Sequence, residues 1–396
     1  MEDETPMISY PDVLIIGGGI VGCATALHLK LASPDIRVEV IEPDPTYEFA
    51  ATTRASGGIR QLFTQPENIR LSQYTLEIIR DWPQFAAVGG ELPPDLAWHA
   101  QGYLFIVGDA QRDTLKANLE TQRQHGVQAK WYEADEIQAA FPCLATDDLA
   151  AGVLSPEDGW LDSYAMLQGC RRRCEAMGVQ FRRDRVRDLS VFGSRISQVA
   201  LESGRRSRPN HVVNAAGTWA ADIAAAVGMP VPVEPMRRFE HYVEPGVALS
   251  GLPFVKDTHG LAIRPEGAGL SVGLVDFQHP AGADLSIDNG YFDRAVWPAL
   301  ARRIPALDRL RLKSTTVGLY DQNRFDGNPI IGNYPGHLDN FWVACGFSGH
   351  GLMHALGVGR ALAEQLVHGR YLTLDLHRLG YERILTGNRL AETGIR

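Results

Sequence analysis

The chain has 396 residues, 45% of them hydrophobic and 21% charged, which matches soluble globular proteins and leaves room for two compact substructures. Its formal net charge of -9 argues against a nucleic-acid binder, whose footprint is a basic face. The acidic start MEDETPMISYPD lacks the features of a targeting peptide, and no apolar run is long enough to span a bilayer, so a cytoplasmic location is expected.

In chain order, residues 12–16 form a β-branched run, three glycines follow, residues 20–31 carry an apolar-periodic segment, and residues 37–41 alternate into Glu42. That order predicts strand, tight turn, helix and strand, the opening of a βαβ unit. Residues 71–85 and 111–125 read as helices and 102–107 as a strand. Asp162 is placed to cap a helix that ends near Met177 before Gly178, and strands are expected at 179–181, 195–202 and 211–214. From residue 231 to about 319 the texture turns β-rich and is broken by Pro and Gly, with one helix near 288–304. The first texture returns with FWVACGF and a helix over 349–368. The predicted fold is α/β: a Rossmann-like nucleotide-binding domain of residues 1–85, 150–228 and 320–396, with an inserted α+β substrate domain of mainly antiparallel sheet at 86–149 and 229–319.

In VLIIGGGIVG, Gly17, Gly19 and Gly22 occupy the positions of a dinucleotide fingerprint. The first allows the tight turn, the second lets backbone approach a pyrophosphate, and the third lets helix pack on strand. Glu42 follows about 20 residues after the last glycine, where an acceptor for a ribose hydroxyl belongs. NAD and FAD share this signature. The chain then leaves for a foreign sheet and returns only at its end, whereas a nicotinamide enzyme continues with further βα units. The five cysteines, Cys23, Cys143, Cys170, Cys174 and Cys345, have no metal-ligand spacing and read as thiols, and no metal site is expected. No hydrolase elbow, zinc-protease helix or P-loop is present.

Taken together, IIGGGIVG, Glu42, RASGGIRQLF, VVNAAGTWA, GLYDQNRFDGNPIIG and GFSGHGL resemble the D-amino-acid oxidase, glycine and sarcosine oxidase superfamily of FAD enzymes. Within it the chain is similar to FAD-dependent oxidoreductase-domain proteins related to dimethylglycine dehydrogenase. The resemblance implies FAD with its pyrophosphate over Gly17, Gly19, Ile20, Val21 and Gly22, its adenosine side near Glu42, Pro43 and Val186, and backbone contacts at Ala215, Ala216, Gly217 and Trp219. It implies a flavin ring between Arg54, Ala55, Ser56, Gly57 and Gly58 on one side and Gly346, Ser348, Gly349, His350, Gly351, Leu352 and Met353 on the other. Amides at that helix start would face the flavin where negative charge collects on reduction.

Arg60 falls where sarcosine oxidases place an arginine close to the flavin, and Arg264 is the second candidate for a substrate carboxylate. His350 is expected to serve the cofactor, and Tyr320 to reach the pocket. The family's flavin-attaching cysteine is replaced by Gly318, and the histidine that dimethylglycine dehydrogenases use is missing from the RASGGIR loop, so FAD is expected to bind noncovalently. Family lysines for oxygen activation and substrate grip are replaced by Ser271 and Met353, which leaves oxidase and dehydrogenase both open. The implied reaction oxidises the C–N bond of an amino acid or N-substituted amino acid to an imine. A 2-hydroxy-acid dehydrogenase, needing His259 or His350 as base, and a non-catalytic flavoprotein that assists assembly are the alternatives.

Overall fold

The computed structural model describes residues 10–247, 249, 251–276 and 281–395. Most of the acidic N-terminal segment considered above lies outside them. Four-residue Val13–Ile16 is buried throughout, as a strand covered on both faces must be. It pairs in parallel with Val38–Glu42 on one side and His211–Asn214 on the other. Gln180–Arg183 and Leu338–Cys345 extend this parallel sheet, and antiparallel Ile330–Tyr334 closes its edge to give six strands.

Three helices cover one face: Ile20–Ala32, Ser163–Ala176 and Gly351–His368. The first and last cross at backbone distance, because a Cβ on Gly359 would stand 2.5 Å from the Ala24 carbonyl carbon. Asp162 caps the middle helix by accepting from the amides of Tyr164 and Ala165. The opposite face carries a three-stranded sheet whose Leu189, Ile196, Val199 and Leu201 complete a separate apolar cluster.

An eight-stranded sheet stands over the mouth of the first. Its order is Leu310–Asn323, Val233–Pro245, Gly269–Leu274, Leu261–Glu266, Phe254–Asp257, Tyr103–Val107, Ala151–Ser155 and Lys130–Glu133. Its outer face packs on Phe292, Val296, Leu300 and Ile304 to make a third core. Ala151–Ser155 belongs to this sheet, so the boundary expected at 150 falls one strand early, and Leu310–Asn323 carries the sheet past the boundary expected at 319.

Two predicted helices differ in form. The segment expected at 71–85 is two helices, Pro66–Arg80 and Trp82–Phe85. Pro66 suits a first turn, and Pro83 ends the ladder because it lacks an amide. The segment at 288–304 is a π-helical turn, Phe292–Val296, that runs into the α-helix Trp297–Arg303.

Candidate active site

The glycine-rich turn is built so closely that side chains have no place in it. A Cβ on Gly22 would lie 1.9 Å from the Gly17 carbonyl oxygen, and one on Gly17, at φ +98, would lie 2.5 Å from the Ala215 oxygen. Gly19, the N-cap of the helix that follows, has no side chain to cap it, so the positive helix end faces outward from the turn. Glu42 is anchored from both oxygens: Oε2 accepts from Gly18 N at 2.8 Å and Oε1 from Asp44 N at 2.9 Å. Burial raises its carboxyl above the ordinary range. Thr52, which sequence reasoning missed, accepts from the Ile20 amide at 3.2 Å. Pro43 follows Glu42 directly, and Val186 opens a strand next to Asp184, whose amide donates to the Glu42 carbonyl. Ala215, Ala216, Gly217 and Trp219 follow the neighbouring strand, and Trp219 is 47% exposed. This cradle fits a dinucleotide: backbone approaches closely, positive helix-end amides are available, and an acid stands at the second strand.

The second glycine-rich turn, residues 346–351, hangs on Asp321. Its carboxylate accepts from Gly346 N at 2.7 Å and Phe347 N at 3.1 Å. Its carbonyl accepts from Ser348 N, while Ser348 Oγ accepts from Asn323 N. Burial pushes the Asp321 carboxyl up to about 6 against the pull of these amides. Gly349 lies flat on Tyr320, where a Cβ would be 2.5 Å from the ring. The helix starting at Gly351 has His350 as N-cap without a side-chain cap bond. The amides of Gly351, Leu352 and Met353 therefore point forward with no acceptor inside the helix.

Between this turn and the covering sheet lies a chamber that opens to solvent, the non-protein space there, solvent at its mouth included, being about 960 Å³. The loop 54–58 and residues Ser348, Gly349, His350, Leu352 and Met353 form one wall; Arg60 and Tyr320 open into it. Gly57, at φ +80, is pressed against the Leu161 oxygen. Arg60 is 2% exposed. It donates to the Leu62 carbonyl and, at 3.0 Å, to Nε2 of His350, and it lies 3.9 Å over the Phe63 ring. Accepting from a guanidinium uses the Nε2 lone pair, so the ring proton of His350 belongs on Nδ1. Asp158 accepts from the amide and side chain of Gln61, next to Arg60.

Arg264 stands elsewhere. It lines a neighbouring, more open cleft with Ser271 and Tyr242, pairs with Glu266 and donates to the Pro265 carbonyl. It shares the sheet face of Ala262 but lies two residues further along the strand, about 7 Å at ordinary strand rise. The sheet instead gives the chamber Arg238, Glu240 and Lys256, none of which the sequence singled out. Burial, then Arg60 and Arg238, push the Lys256 ammonium down to about 7. Among the described residues, no group of three or more His, Cys, Asp or Glu is placed to hold a metal. No described helix is long and apolar enough to cross a membrane.

A dinucleotide cradle on a mainly parallel sheet, roofed by a mainly antiparallel sheet over a chamber at a helix start, is the arrangement of FAD-dependent oxidoreductases. The chain matches the family model DAO, FAD dependent oxidoreductase, over residues 12–365, and it belongs to that family. It is 33% identical over 423 aligned positions to FAD-dependent oxidoreductase domain-containing protein 1 of Bos taurus, an alignment covering 96% of this chain and 86% of that one. It is 27% identical to mitochondrial sarcosine dehydrogenase of Mus musculus, over 92% of this chain and 40% of that protein. Among solved structures, L-proline dehydrogenase from P. horikoshii superposes with a TM-score of 0.85 at 27% identity, over 96% of this chain and all of that one.

Proposed function

We propose that the chain oxidises the C–N bond of an amino acid or N-substituted amino acid, giving an imine that water hydrolyses. Bound FAD supplies the acceptor for the hydride. The chain's residues bind, orient and desolvate the substrate. Arg60, backed by Phe63 and fixed on His350, is the carboxylate partner beside the helix start, with Tyr320 on the same wall. The observation that carries the reading is the gathering of positive charge around a chamber at that helix start, where Arg60, Arg238 and Lys256 all line the walls. Such a field attracts an anionic substrate and favours the neutral over the ammonium form of its amine, the form whose lone pair drives hydride departure. The first-turn amides 351–353, which no side chain caps, would stabilise negative charge on a reduced flavin.

The names of the sarcosine and L-proline dehydrogenase relatives support amine chemistry. Noncovalent cofactor binding is supported at Gly318, where a Cβ would sit 2.8 Å from that of Arg54 and no anchoring side chain exists. Five free thiols support the reducing, cytoplasmic setting expected from the sequence. A hydroxy-acid reaction finds less support: His259 is exposed on a turn outside the chamber, and His350 already spends its Nε2 lone pair on Arg60.

The test is anaerobic mixing of FAD-loaded protein with amino acids, N-methyl amino acids and 2-hydroxy acids, following the visible flavin band. Bleaching by amines is expected. Bleaching by hydroxy acids alone contradicts the proposal, and a flavin that no compound reduces favours the assembly reading. Reoxidation of the bleached protein by oxygen or by a quinone separates oxidase from dehydrogenase.

A further inference from the structure

Two cavities meet at the covering sheet. The chamber and the open cleft beside Arg264 share Arg54, Ala55, Ser56, Glu240 and Thr316 in their walls. Glu240 is the single acid among the described residues that line the chamber, and so the single acid common to both spaces. Beside it on the neighbouring strand is Gly273, where a Cβ would stand 3.3 Å from Glu240 Oε2, and Ala262 follows on the next strand. Two residues this small leave the chamber wall bare next to the carboxylate.

The two carboxylate oxygens of Glu240 have different surroundings. Ser271, a wall residue of the cleft, donates its hydroxyl to Oε1. Oε2 lies beside Gly273 of the chamber wall and takes no hydrogen bond from a described residue. Burial raises the carboxyl above its ordinary range against the pull of Ser271 and Arg264, and Glu266 adds to the rise. Elsewhere in the chamber wall stand Arg60, Arg238 and Lys256. Tyr103 and Tyr320, both in that wall, are each within electrostatic reach of Arg60 and of Glu240. The chamber therefore offers a cationic and an anionic group around the same two rings. An amino acid carries one charge of each sign on a single carbon.

We propose that Glu240 is a catalytic residue: its Oε2 receives the amine nitrogen of the substrate and takes the proton that the nitrogen brings. This rests on the amine-oxidising reading above for the reaction, but not for the binding of a cation. The substrate arrives with its nitrogen protonated, as amines are at neutral pH. Arg60 takes the carboxylate and Glu240 the ammonium. One N–H bond then breaks, an O–H bond forms on Oε2, and the nitrogen keeps the electron pair. The neutral amine that hydride departure requires is thus made in place. A carboxyl lifted by burial is closer in proton affinity to an amine than an exposed one, which makes the transfer less uphill. Because Glu240 borders the more open cleft as well, the proton can leave to solvent without passing the substrate.

The experiment titrates FAD-loaded protein at neutral pH with two unreactive carboxylates of one shape, glycine betaine and tert-butylacetate, and follows the perturbed flavin spectrum. They differ by one positive charge, since the quaternary nitrogen of the first is a carbon in the second. Betaine is expected to bind more tightly, and in Glu240→Gln its advantage is expected to fall about tenfold. A wild type that prefers tert-butylacetate overturns the proposal even if the variant does not fold. So does a ratio unchanged within about twofold in a variant whose FAD spectrum shows it folded. The proton step is read by stopped-flow flavin reduction at saturating amine. Glu240→Gln is expected to be slower by about tenfold or more at neutral pH and to approach wild type as pH rises toward the pKa of the amine itself, where the neutral form arrives unaided. A gap that is the same at every pH contradicts the proton role. If betaine is preferred through Glu240 but no amine reduces the flavin, the cation assignment stands and the amine reading fails. If amines reduce the flavin and the betaine ratio does not respond to Glu240→Gln, the reverse holds.

Discussion

The cradle at residues 17–22 and the chamber beneath the covering sheet, the two ends of the cofactor and substrate site proposed above, are specified differently. The cradle is made of backbone: its contacts are amides, carbonyls and the absence of Cβ atoms, all set within one strand-turn-helix unit and the strand beside it. The chamber is made of side chains from strands far apart in sequence, such as Lys256 on a strand that pairs in parallel with Tyr103–Val107. A backbone site tolerates almost no substitution at its tight points. A side-chain site can change its substrate while its frame stays intact.

That contrast orders the expected effects of substitution. Gly22→Ala is the most severe: its methyl meets the Gly17 carbonyl oxygen at 1.9 Å, a backbone group that cannot swing aside. FAD uptake is expected to be lost, as seen by the missing flavin spectrum after reconstitution, together with a lowered Tm. Asp321→Ala removes the acceptor of the Gly346 and Phe347 amides in a buried place. Unsatisfied buried amides cost about 1–3 kcal/mol each, so an FAD affinity weaker by about 100-fold and a matching loss in denaturant titration are expected. If FAD binding survives this change intact, the second turn is not organised as described.

A third effect belongs to the side-chain site and depends on pH. Arg60 and Arg238, facing Lys256, stay charged across neutrality, while Lys256 loses its proton near 7 rather than 10.5. Above that value the chamber loses one positive charge, so affinity for an anionic substrate is expected to fall as pH rises, and the fall is expected to be absent in Lys256→Met. The stability consequence has the opposite sense. A buried ammonium costs native stability in full below the folded value of about 7, and the cost fades as pH rises from there toward 10.5. The smallest effect is expected from Arg264→Ala, which alters the adjoining cleft and an ion pair with half-exposed Glu266. Flavin reduction rates within about twofold of wild type are expected, in line with the small worth of partly exposed pairs. A larger loss would return Arg264 to the substrate.

The two regions also differ in how far they can be read from residues alone. Gly17, Gly22 and Glu42 are legible because their identity carries the geometry: only glycine fits those approaches, and the acid follows at a spacing set by one helix and one strand. The motif GLYDQNRFDGNPIIG is visible as a pattern, but its work is not. Asp321 ties the second turn, and Asp326 forms a buried ion pair with Arg383 at 2.8 Å, 57 residues away. The gathering of Arg238, Glu240 and Lys256 in the chamber depends on non-local strand register, which one sequence does not fix. A shift of two residues moves Arg264 from the chamber to the cleft, and Lys256 carries no motif at all. One weak signal was available: in FVKD a lysine directly follows the apolar Phe254 and Val255, a strand position that cannot be ordinary core.

The account stands or falls on where the isoalloxazine ring lies, and a crystal structure of the protein loaded with FAD measures that directly. It should show the pyrophosphate over residues 17–22 and the ring inside the chamber, its pyrimidine edge within hydrogen-bond distance of the amides of Gly351 to Met353 and Arg60 nearby. A ring in the open cleft beside Arg264, or a chamber filled by Lys256 and Arg238 with FAD bound elsewhere, would contradict it.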